Sequence, residues 1–126
     1  MEAEFKGGFR DLEAYKQAVI FRKQVRNDCK KFPKEETYLL KAQLLDASRS
    51  ITANMAEGYG RFNYQETSQF FRISRGSLNE CLDHLSSALD EGYLTLETYI
   101  EREKQYELVL KLTNGYIAYL QRKKSM

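Results

Sequence analysis

The sequence predicts an all-α protein, an antiparallel up-down-up-down four-helix bundle, and three observations carry that expectation. The 126 residues include only one proline and seven glycines, too little punctuation for many short strands. Apolar residues recur at helical spacing in four stretches separated by short polar breaks. From Ser50 to Glu80 the chain reads as the end of one helix, a glycine-punctuated turn and the start of another. The 42% hydrophobic content suits one domain over residues 1–126, long enough to bury a core and too short for two.

Residues 1–10 are a short polar arm in which Gly7 and Gly8 argue against helix. Helix 1 is expected over about 11–31, capped by Asp11, with Leu12, Tyr15, Ala18, Val19, Val25 and Cys29 on one face. It runs out at Phe32 and Pro33, because a proline ring disfavours helical backbone in the residue before it. Helix 2 is expected over about 35–57, with Leu40, Leu44, Ala47, Ile51 and Met55 as its buried stripe. Glu35 and Glu36 suit the positive end of its dipole. Gly58 is expected to close this helix in the left-handed conformation, with Gly60 keeping the chain turning.

Helix 3 is expected over about 64–91, with Asn63 as N-cap and Glu66 completing a capping box. Phe71, Leu78, Leu82, Leu85 and Leu89 form its main stripe. Beside them Phe70, Ser74, Ser77, Cys81 and Ala88 make a flank of mostly small residues, suited to a neighbouring helix or another subunit at close range. Gly76, costly mid-helix, predicts a close backbone approach near Ala47. Gly92 ends helix 3, and Thr95 caps helix 4, expected over about 95–124. Tyr99, Tyr106, Leu110, Thr113, Ile117 and Leu120 form its stripe.

Charge and cysteine content exclude several classes. A net charge of +2 is too small to announce a nucleic-acid binder by itself. Residues 10–34 carry a balance of +5 and residues 78–107 a balance of −6, so these segments can attract within a subunit or between subunits. Cys29 and Cys81 lack zinc or disulfide spacing, which suits a reducing cytoplasm. No run of about 18 apolar residues marks a membrane span, and the N-terminus does not resemble a signal peptide. His84 is the sole histidine, too few ligands for a metal site. Glu57 and Glu80 lie too far apart along the hairpin to form a catalytic pair. The glycines around Tyr59 lack the Lys-Ser/Thr of a phosphate loop. No catalytic residue, metal or cofactor is expected.

Two features remain as candidate sites. Ser50, Asn54 and Glu57 share one side of helix 2. They read either as a hydrogen-bonded network, with Glu57 pairing Arg10 or Arg61 and Asn54 reaching Ser68 or Gln69, or as a partner-recognition patch. Tyr59, Arg61, Phe62 and Tyr64 interleave rings with a cation, either to plug the bundle end or to stack single-stranded RNA bases and hold phosphates.

The pattern Ser50-Ile51-x-x-Asn54-x-Ala56-Glu57-Gly58-x-Gly60-Arg61, with Glu66, Phe70 and Gly76-Ser77-x-x-Glu80, resembles the bacterial four-helix proteins encoded by intervening sequences of 23S ribosomal RNA genes. Phe9-Arg10-Asp11-Leu12 and Phe32-Pro33-x-Glu35 extend the likeness over nearly the whole chain. The resemblance implies a left-handed bundle assembled as a homopentamer, with no established enzymatic activity. The accessory proteins of diversity-generating retroelements are similar in fold and bind nucleic acid together with a reverse transcriptase, through a more basic surface than this chain offers. Two functions of different classes follow. One is a non-enzymatic RNA or ribonucleoprotein binder using Tyr59 and Tyr64 as stacking platforms and Arg61, Arg72, Arg122, Lys123 and Lys124 as phosphate contacts. The other is an oligomeric scaffold that binds a protein partner through the helix 2 to 3 patch.

Overall fold

The structure, a computed structural model, describes residues 7–124; residues 1–6 of the expected arm and residues 125–126 lie outside the described residues. Four helices follow one another, α1 Glu13–Cys29, α2 Leu40–Gly58, α3 Tyr64–Asp90 and α4 Leu96–Lys124, with 3-10 turns at Gly8–Asp11 and Lys34–Glu36. Among the described residues there is no strand. Asp11 does not cap α1. Its carboxylate accepts the Gly7 N–H at 2.6 Å and closes the preceding turn, while extended Leu12 opens the helix.

Helix α2 starts at Leu40 rather than near residue 35, because Leu39 leaves the helical path at φ −117°, ψ −110°. Glu36 of the acidic pair still serves its N-terminus. Glu36 accepts the Leu40 N–H at 3.3 Å and the Tyr93 hydroxyl at 2.9 Å, satisfying one of the amides that a helix start leaves open. At the other end the expectation for Gly58 is overturned. Gly58 is the last residue of α2, not a left-handed residue beyond it, and Gly60 takes the positive φ of 76°. The reason for glycine at 58 is steric. A Cβ there would collide with the Cβ of Phe70 and lie 3.1 Å from its Cγ, so α3 crosses α2 where α2 has no side chain.

The α3 and α4 boundaries follow their caps. Asn63 Oδ1 accepts the Glu66 N–H at 2.8 Å, and Thr95 Oγ1 accepts the Thr98 N–H at 3.1 Å. At the end of α3, Gly92 sits at φ 81°, with Tyr93 N–H donating to Ala88 O at 2.8 Å and Gly92 N–H to Leu89 O at 3.0 Å. That is the paired closure of a Schellman motif.

Helix α1 packs on α2 and α4, and α3 packs on α2 and α4, which makes a ring of four. Phe21, Val25, Leu44, Ile51, Met55, Phe71, Leu78, Leu85 and Val109 are fully buried inside it. On α1 the buried face is Ala14, Ala18, Phe21, Val25 and Cys29; Leu12, Tyr15 and Val19, expected at its centre, are half-buried. Phe21, fully buried on that face, was not among the residues expected there. The small-residue flank of α3 is used within the subunit: Ser74 is buried and donates to Ile51 O at 2.8 Å, and Ser77 and Ser50 share a bond of 2.8 Å. A neighbouring helix, α2, occupies it.

Gly76 makes no close approach. It is exposed, and a Cβ there would meet nothing within 4 Å, so Ala47 and the rest of α2 lie elsewhere. Gly76→Ala should therefore stabilise the protein by about 0.5–1 kcal/mol by removing backbone freedom from the unfolded chain. Thermal melts of the two proteins check this, and a lower melting temperature for the variant would contradict it.

The strongest polar link across the core was not expected. Asp28 of α1, 1% exposed, accepts two hydrogen bonds from Arg102 of α4, Nε to Oδ2 at 2.7 Å and an Nη to Oδ1 at 2.9 Å. The segments of opposite charge do meet. They do so through an anion of the basic segment and a cation of the acidic one, the reverse of the expected pairing.

Candidate nucleic-acid interface

The turn between α2 and α3 and the last turns of α4 come together at one end of the bundle. Gly60 lets the chain reverse, with Tyr59 N–H bonded to Met55 O and Arg61 N–H to Gly58 O. Arg61 then turns back over the turn. Its guanidinium bonds Glu57 and lies 3.5 Å from the Glu66 carboxylate and 4.7 Å from the Phe70 ring centre. The loop rings do not plug the bundle end: Phe62 is 99%, Tyr64 47% and Tyr59 38% exposed.

Helix α4 adds two rings that sequence reasoning missed. Tyr116 packs on Phe71 at 4.7 Å and stacks on Tyr119 at 5.7 Å, and the Lys123 ammonium stands 5.6 Å from the Tyr119 ring centre. Burial pushes the Tyr116 phenol up to about 12, and the neighbouring Tyr59, Tyr119 and Tyr64 add to the shift. Four tyrosines thus surround a hollow of about 250 Å³, with Gly60 and Leu120 also in its wall. An adjoining hollow of about 180 Å³ shares Tyr64 and Leu120 and is lined by Ser68, Arg72 and Lys124. Ser68 Oγ is buried there with no hydrogen-bond partner among the described residues.

Tyr59, Arg61, Tyr64, Arg72 and Lys124 therefore converge, whereas Arg122 is exposed in the last turn of α4 and lines neither hollow. The i, i+3 spacing of Tyr116 and Tyr119 just before the basic tail was the available signal.

The family model of the 23S rRNA-intervening sequence proteins matches residues 10–115. The chain belongs to that family. A solved structure from Bacteroides thetaiotaomicron VPI-5482, a protein with unknown function from the S23 ribosomal protein family, is similar to it with a TM-score of 0.75 and 21% identity. That likeness covers 82% of this chain and 97% of the other, and it bears on the fold alone. No curated protein shows a significant match.

In this 23S rRNA-intervening sequence protein the polar set of α2 is a local network. Asn54 Nδ2 donates to Ser50 O at 2.8 Å and Ser50 Oγ at 2.9 Å, and Ser50 reaches Ser77. Glu57 is held by Arg61. The expected reach of Asn54 to Ser68 or Gln69 is replaced by this bond to its own helix. His84 bonds Glu80 at 3.1 Å one helical turn away. Burial pushes the Cys29 thiol up to about 11 and the Cys81 thiol to about 12, so both stay protonated at neutral pH. Among the described residues no His, Cys, Asp and Glu gather as a metal site, and no helix is long and apolar enough to cross a membrane.

Proposed function

We propose that this family member is a non-enzymatic, cytoplasmic RNA-binding bundle that holds single-stranded RNA at the end where α2, α3 and α4 meet. The observation that carries the reading is the cluster of Tyr59, Tyr64, Tyr116 and Tyr119 beside Arg72 and Lys124. Rings stack bases of any sequence, while cations hold the phosphates between them. Arg61, already engaged by Glu57, Glu66 and Phe70, shapes the turn on this reading, and Arg72, Lys123 and Lys124 carry the phosphates.

The reading takes the chain as one left-handed up-down-up-down domain. Partners that run in opposite order along neighbouring helices support the up-down order: Ser50 with Ser77 and Gly58 with Phe70, then Arg75 with Asn114 and Ser86 with Tyr99. Assembly as a homopentamer, implied by the resemblance, would repeat the site around a rim and raise avidity.

Binding of a short single-stranded RNA across a salt series tests the proposal. Joint substitution Arg72→Ala and Lys124→Ala should reduce the slope of log affinity against log salt by about 1–2. Joint substitution Tyr59→Ala and Tyr64→Ala should weaken binding by about 1–3 kcal/mol per ring with the slope preserved. No binding by wild type at low salt, or no change in the variants, would reject it. The near-complete exposure of Phe62 favours a second reading, a scaffold that docks a protein on this apolar tip. Such an interface would tolerate added salt and would fail on Phe62→Ser.

A further inference from the structure

The groove between α1 and α2 holds a cleft of about 340 Å³ lined by Arg22, Lys23, Arg26, Arg49, Leu45 and Ser48. This volume lies within the roughly 300–1,000 Å³ of small-molecule clefts. Four of its six lining residues are cations and none is an anion. Among the described residues no carboxylate comes within ion-pair distance of any of the four; the pairs that form involve Arg61, His84 and Arg102. Asp46, one turn before Arg49 on α2, is not part of the lining.

One wall is already ordered. Arg22 Nη1 donates to Thr52 Oγ1 at 2.7 Å, and that hydroxyl donates to Arg49 O at 3.3 Å. Thr52 is 3% exposed, so Arg22 is anchored at the base of the groove. The Ser48 hydroxyl is taken up by Leu45 O at 3.0 Å, which leaves the cations as the cleft's donors to a ligand. Four cations in the wall of one cleft raise the local positive potential, which favours an anionic ligand there.

We propose that this cleft binds a small anion carrying a chain of phosphoryl groups, either inorganic polyphosphate or the polyphosphate of a nucleotide. Guanidinium forks match the geometry of phosphate oxygens and bind them in pairs. A single orthophosphate brings at most about two negative charges near neutral pH and leaves half of the cations uncompensated. A triphosphate chain matches all four. The anchored Arg22 limits the side-chain freedom lost on binding. The site lies in the α1–α2 groove, apart from the tyrosine-lined end of α3 and α4, and does not depend on RNA being bound there.

Calorimetric titration of the full chain at low salt tests the proposal, with inorganic tripolyphosphate, orthophosphate, a nucleoside triphosphate and a short RNA as separate titrants. Tripolyphosphate should bind more tightly than orthophosphate, and joint substitution Arg26→Ala and Arg49→Ala should weaken it by at least about tenfold. Arg72→Ala with Lys124→Ala should leave it unchanged, which separates this site from the RNA reading. Both substituted cleft residues are exposed, and melting curves verify that the variant is folded. Equal affinity for tripolyphosphate and nucleotide assigns the phosphate chain alone as ligand; tighter nucleotide binding assigns the nucleotide. The proposal is overturned if neither binds, if binding survives the Arg26 and Arg49 substitutions, or if RNA alone responds to them. It is also overturned if no phosphate binds and the variant changes the mass in light scattering, since the cleft would then receive carboxylates of a second copy.

Discussion

Arg102→Ala should cost about 3–5 kcal/mol of stability, because it strands a buried carboxylate. Asp28 is 1% exposed and its two oxygens each accept one guanidinium hydrogen bond. Removing the guanidinium leaves the charge in a poorly polarisable interior with its main counter-ion gone. Such a loss is a large share of the roughly 5–15 kcal/mol that holds a typical domain folded. Arg102→Lys should recover only part of it, since an ammonium does not reproduce the planar fork. Replacing the pair together, Asp28→Leu with Arg102→Met, should be far milder than Arg102→Ala, because no charge is then left unpaired. Urea unfolding of the four proteins measures this. An Arg102→Ala cost under about 1 kcal/mol would mean that water reaches Asp28 and that the pair is of surface type.

Gly58→Ala should destabilise by about 2–3 kcal/mol, as overpacking does in a filled interior. The sign is informative, because alanine in a helix is normally better than glycine by about 1 kcal/mol. Here the new Cβ meets the Cβ of Phe70, an atom tied to the α3 backbone that cannot swing away. Gly60→Ala tests the alternative cause. Gly60 has φ 76° and open space around it, so it pays only the left-handed penalty of about 1–2 kcal/mol. A larger effect at 58 than at 60, measured by thermal or urea unfolding, supports close helix crossing as the role of Gly58. Equal stability of Gly58→Ala and wild type would refute it.

Local signals in the chain read accurately where the interaction they encode is also local. Asn63, Gly92 and Thr95 each satisfy or close a backbone group within a few residues, and all three behave as their types suggest. Gly58 shows the limit of that reasoning. A glycine at a helix end has two uses, positive φ and the absence of a side chain, and the neighbouring residues do not tell them apart. Gly76 shows it from the other side, since a mid-helix glycine suggests a close neighbour and none is present. At the candidate interface Tyr59, Arg61 and Tyr64 were legible because they interleave within six positions. Tyr116 and Tyr119 were not, because their place beside that turn depends on where α4 ends relative to it.

By itself the sequence determined the four helices, their breaks, most of the buried residues and the family. Each of these depends on contacts along a few turns of chain or on a pattern of residue types. Only the tertiary structure decided which charges meet. Asp28 finds Arg102 across 74 positions, and the Arg22, Lys23 and Arg26 side of α1 finds Arg49 of α2. Such meetings depend on the rotation of each helix about its axis and the closeness of its crossing. The closeness of the α2–α3 crossing at Gly58, where a Cβ would strike Phe70, is likewise a fact of packing that the residues around the glycine do not carry.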